Sequence, residues 1–94
     1  MSRKPPLTMD EHRELGMALA IMRDDLTRKI TRIGANLPKA HRVIQDLLAA
    51  VARIDRARSD LEDVMVRDHA SSDPEGVSIY VYYPPAEQRQ QVTA

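Results

Sequence analysis

Apolar residues recur along the first third of the chain at Leu15, Leu19, Met22, Leu26, Ile30, Ile33 and Leu37. Steps of three and four residues place all of them on one face of an α-helix. Thr8-Met-Asp-Glu11 precedes this stripe and reads as a capping box, in which the Thr8 hydroxyl accepts from the Glu11 N–H and the Glu11 carboxylate reaches back. Gly34-Ala-Asn-Leu-Pro38 reads as a stop and restart, because Gly and Asn suit a helix C-cap and Pro suits a first helical turn. A second stripe follows at Ile44, Leu47, Val51, Ile54, Leu61 and Met65. The pattern therefore predicts helix 1 over about 8–34 and helix 2 over about 38–70, joined closely enough to be antiparallel neighbours. In this register Met9 is expected to face Asp63, so that Val64 and Met65 project beyond helix 1.

The pattern changes after residue 70. Ser71-Ser-Asp-Pro-Glu-Gly76 has the residues of a turn. Val77, Ile79, Val81 and Tyr83 then alternate with Ser78, Tyr80 and Tyr82, the period of a β-strand. Pro84-Pro85 ends it, and the polar residues 86–94 are expected to be disordered, as are residues 1–7 as a flexible arm. A lone strand leaves a row of unpaired backbone groups, so a partner for 77–83 is expected.

Two further details suggest an incomplete hairpin. The helix 1 stripe repeats every eleven residues through Leu15, Leu26 and Leu37, whereas helix 2 keeps a heptad in which Arg58 and Asp68 take stripe positions. Those periods drift in opposite senses, which argues against one shared supercoil. Met17 and Ile21 lie opposite the main stripe of helix 1, so its first half is apolar on more than one side. The expected fold is mainly all-α: a long antiparallel helical hairpin with a short C-terminal strand, completed as a dimeric four-helix bundle. Met17, Ile21, Val64, Met65, Ile79, Tyr80, Val81, Tyr82 and Tyr83 are the expected protein interface. Arg58 either snorkels along its stem or pairs with an acid on another helix and fixes the register.

Composition narrows the chemistry. The 94 residues include no Phe, no Trp and three Tyr, all in the tail, so Leu, Ile, Val, Met and Ala must build the core. Lys+Arg and Asp+Glu are balanced at 14 each, which removes any global attraction to nucleic acid or membranes. No cysteine is present for thiol catalysis or a Cys-ligated metal, and Met17–Met22, the longest apolar run, is too short to span a bilayer. A cytoplasmic, non-enzymatic protein without cofactor or metal is the expectation.

Charge is segregated all the same. Arg28, Lys29, Arg32, Lys39 and Arg42 cluster at the hairpin tip, and Asp60, Glu62, Asp63, Asp68, Asp73 and Glu75 gather at the open end with Asp10, Glu11 and Glu14. In helix 2 this order opposes the macrodipole at roughly 0.3–1 kcal/mol per residue, a mild cost that suggests a use. Antiparallel self-association would bring tip against open end, and a phosphate backbone would be met by the tip cations. His12 and His69 approach one another at the open end if the helices align, while no Glu-x-x-His occurs to build a carboxylate-bridged di-metal site.

The leading functional expectation is a small helical interaction protein (adaptor, assembly factor or inhibitor) that forms a homodimer and docks a protein partner. The alternative is a nucleic-acid-binding regulator using Arg28, Lys29, Arg32, Lys39 and Arg42. A third reading rests on resemblance. Tyr83-Pro-Pro-Ala-Glu87 fits the Tyr-x-x-x-Asp/Glu tail signal, and the hairpin plan resembles the secreted hairpins of the type VII pathway, which implies export. Their Trp-x-Gly turn is absent, its place taken by Ile33-Gly-Ala-Asn-Leu-Pro38. The charged hairpin is also similar in architecture to small plasmid-encoded RNA-binding bundle proteins, a likeness that does not establish function.

Overall fold

A computed structural model describes residues 4–93, with the side chains of 91–93 left aside. Three helices follow in order: α1 (Met9–Gly34), α2 (Arg42–His69) and the short α3 (Ala86–Thr93). The two long helices pack against each other as an antiparallel hairpin, and α3 touches α1. No helix among the described residues is long and apolar enough to cross a membrane.

Helix α1 begins where the sequence places it. The Glu11 N–H donates to the Thr8 hydroxyl at 3.1 Å and the Thr8 N–H donates to the Glu11 carboxylate at 2.9 Å, closing the capping box. That bond holds the Glu11 carboxyl below its ordinary range. Helix α2 begins at Arg42, four residues later than Pro38. His41 is its N-cap, and its ring Nδ1 accepts from the Val43 N–H at 3.1 Å, while 35–41 form the connection.

This longer connection corrects the register. Arg23 of α1 faces Asp55 and His12 faces His69, about two helical turns from the expected pairing. Helix α2 therefore does not overhang. Met65 is fully buried within the chain and Val64 is half-buried beside Pro5, Pro6 and Leu7 of the arm. Residues 1–3 of the expected flexible arm, and residue 94 of the expected disordered tail, lie outside the described residues.

The tail is the second correction. No strand occurs among the described residues, and 77–83 is a run of loop and turns. The alternation is real, but a strand needs a neighbouring edge, and here the backbone groups find closer partners. The Val81 N–H donates to the Ser78 carbonyl at 3.1 Å, and the Tyr83 N–H to the Ile79 carbonyl at 3.1 Å. The Tyr80 N–H takes the Ser78 hydroxyl at 3.1 Å. After Pro84-Pro85 the chain turns into α3 rather than disorder, and Arg89 ties it to Asp24 of α1 and to the Pro84 carbonyl.

The core is small. Ala20, Ile44, Met65 and Tyr82 are the buried apolar residues, joined by buried His12 and Arg58. The Cα atoms span 50 × 36 × 17 Å.

Candidate functional site

The tail lies in a groove between α1 and α2, and small residues on α1 create it. Gly16 and Ala20 are buried four residues apart on one face of that helix. A β-carbon on Gly16 would collide with the Val81 carbonyl oxygen and stand 3.2 Å from the Tyr82 Cα. The tail backbone thus rests directly on the helix.

Arg58 supplies the opposite wall. Its Nε and Nη2 both donate to the Tyr82 carbonyl, at 3.1 and 2.9 Å, and its Nη1 donates to Asp55 at 3.1 Å. Its guanidinium carbon lies 4.5 Å from the centroid of the Tyr83 ring, a cation–π contact. Asp55 also accepts from Arg23 Nε at 2.7 Å, so one carboxylate joins α1, α2 and the arginine that holds the tail. Arg58 is only 6% exposed, and its stripe position is explained by neither snorkelling nor an acid on another helix. It pairs within its own helix and caps a tail carbonyl that would otherwise be buried bare.

At the open end, the Tyr82 phenol bonds Nδ1 of His12, and both residues are fully buried. His69 meets His12 edge-on with ring centroids 5.6 Å apart, a contact that the shifted register makes possible. The His69 Nε2–H donates to the Leu7 carbonyl at 2.6 Å and so fastens the arm. His12 Nε2 is buried with no partner. The hydrogen positions follow. With the phenol donating to Nδ1, one N–H is left over; with the imidazole donating, both the phenol hydrogen and the Nε2 lone pair are left over. The first arrangement strands fewer groups and makes His12 the neutral Nε2–H tautomer.

Burial is the largest influence on His12 and depresses its proton affinity, with His69 adding to the effect against Asp68 and Glu11. Burial raises the Tyr82 phenol, which stays protonated near neutrality. Glu62, one turn beyond Arg58 on α2, also has a buried carboxylate oxygen without a partner. No group of three or more His, Cys, Asp or Glu placed to hold a metal occurs among the described residues.

The sequence-predicted interface is split by this arrangement. Met65 and Tyr82 are buried inside the chain, whereas Met17, Ile21, Val64, Val81 and Tyr83 are half-buried. Ile79 and Tyr80 remain open, at 61% and 65% exposure. Of the tip cations, Arg28 and Lys29 share Asp25, which draws that carboxyl below its ordinary range. Arg32, Lys39 and Arg42 are exposed and form no ion pair among the described residues.

A second apolar surface lies away from the tail. Leu15, Leu19, Met22, Leu26 and Ile33 share the face of α1 that turns from Gly16 and Ala20. Val43, Ala50, Ile54 and Leu61 share the matching face of α2, turned from Asp55. Leu15, Met22 (55%) and Val43 are exposed there, and the others are half-buried. Comparison with known protein families, curated proteins and solved structures finds no match to this chain.

Proposed function

We propose that this chain is a non-enzymatic helical interaction protein. It associates with a second copy through the face of α1 and α2 opposite the tail, as a four-helix bundle that docks a protein partner. The supporting observation is the continuous apolar face of Leu15, Leu19, Met22, Leu26 and Ile33 beside Val43, Ala50, Ile54 and Leu61. Such a stripe on both helices of a pair has the dimensions of a bundle seam. Charge favours a second copy as the occupant: in an antiparallel arrangement the tip carrying Arg32, Lys39 and Arg42 meets the end carrying Asp60, Asp63 and Glu75.

Sedimentation analysis of the chain and of Met22→Glu tests this reading. The wild type is expected to sediment as a dimer and the variant as a monomer with unchanged helix content. A wild type that stays monomeric at about 100 μM, well above ordinary dimer affinities, defeats it.

Nucleic-acid binding at the tip is the second reading, favoured by the exposure of Arg32, Lys39 and Arg42. A salt-titrated mobility shift with these three changed to Gln separates it from self-association, because lost phosphate contacts flatten the salt dependence.

A further inference from the structure

We propose that His12 is a proton-operated latch for the tail: a second proton on its imidazole releases 77–89 from the groove, while the arm and the hairpin stay in place. The geometry gives the two histidines different roles. Neutral His12 accepts from the Tyr82 phenol through Nδ1. Once protonated, Nδ1 is a donor and the phenol must turn its own hydrogen away, into a buried site where Tyr82 is fully enclosed. The extra charge also arrives beside an Nε2 that has no partner. A buried imidazolium with an unmet donor is costly, and withdrawal of the tail, which admits water, relieves it.

His69 behaves otherwise. It already donates through Nε2 to the Leu7 carbonyl, and it makes that bond equally well in its charged form. Acid therefore leaves the arm fastened. The groups acting on His12 come from each neighbouring element: Glu11 on its own helix, Asp68 and His69 on α2, and Tyr82 on the tail. The two carboxylates favour charge on His12, but Asp68 is engaged by Arg67 at 3.0 Å and Glu11 by the Thr8 N–H. Neither is hydrogen-bonded to the ring, whose Nδ1 bonds Tyr82 and whose Nε2 has no partner.

The rest of the tail is built to detach as a unit. Its other ties include the Arg58 fork on the Tyr82 carbonyl and the Arg89 link to Asp24. Each returns a cation or a carboxylate that water can solvate. What opens is a groove floored by Gly16 and Ala20 and walled by Arg58. This device stands apart from the proposed self-association, which uses the opposite face.

Amide exchange and histidine-ring NMR on the full chain test the latch. Between about pH 7.5 and about pH 5, the amides of 77–83 should lose at least about tenfold of their protection, corrected for the intrinsic effect of pH. The midpoint should follow the His12 ring titration, with the amides of Ala20 and Ile44 still protected. In His12→Gln the pH response of the tail should vanish, whether the tail is held or loose. Joint loss of helix and tail protection in the wild type would overturn the proposal, as would a tail that stays protected after His12 has titrated. A pH response retained in His12→Gln would do the same. The wild-type comparison decides the matter even if that variant does not fold.

Discussion

The carbonyl oxygen of Val81 occupies the space where Gly16 would carry a β-carbon. Helix α1 therefore has glycine at an interior position, where it costs about 0.5–1 kcal/mol relative to alanine, so that a segment 65 residues later can lie against it. Gly16→Val is expected to lift the tail and lower stability by about 1–3 kcal/mol, read as a shift in the urea midpoint. Gly16→Ala combines a helix gain with the same collision. An increase in stability there, with the tail still protected, would show that the approach is looser than the geometry implies.

Arg58 holds the Tyr82 carbonyl with two nitrogens and Asp55 with a third. Lysine keeps the charge but loses the fork and the stacking on Tyr83. Arg58→Lys is accordingly expected to cost about 2 kcal/mol in chemical denaturation, close to the value of a charged hydrogen bond. A change below about 0.5 kcal/mol would place the arginine among ordinary surface residues.

His12 gives stability a definite slope with pH. Its proton affinity is lower in the folded chain than in the unfolded one, so the unfolded state binds more protons and stability rises with pH. The contribution is whole above the unfolded value of about 6.5 and is lost as pH falls from there towards the folded value. Tyr82→Phe removes the donor to Nδ1 and strands that nitrogen, at about 1–3 kcal/mol near neutral pH. It should also flatten the slope, since a bond to the neutral ring is part of what opposes the charge. Denaturation curves at a series of pH values check both.

Much of the hairpin can be read directly from the chain. The Thr8–Glu11 box and the 3–4 spacing from Leu15 place α1, because capping and helical periodicity are local effects. The start of α2 was less legible: Pro38 is a sound first-turn residue, yet His41 supplies the cap, and the later start moves the whole register. The tail is less legible for a nonlocal reason. Period-two alternation gives a segment two faces, but only a neighbouring backbone makes it a strand, and that neighbour is a helix with a glycine in it. Three signals do point to the docking place: Arg58 within an apolar stripe, Gly16 and Ala20 spaced by four, and His12 on the face beside them. Each is weak alone, and their convergence is visible only once α1 and α2 are aligned.

Seventy positions separate His12 from Tyr82, the partners in the most deeply buried bond of the site. The hairpin can close from its tip outward, through pairs such as Arg23 with Asp55, before His12 and Tyr82 find each other. That order predicts that the tail docks after the folding barrier has been crossed and departs before it is reached in reverse. Substitutions at Gly16, Arg58 and Tyr82 should consequently speed unfolding and leave the refolding arm of a chevron plot almost unmoved. The lifetime of the native chain would then be governed by a segment that takes no part in building it.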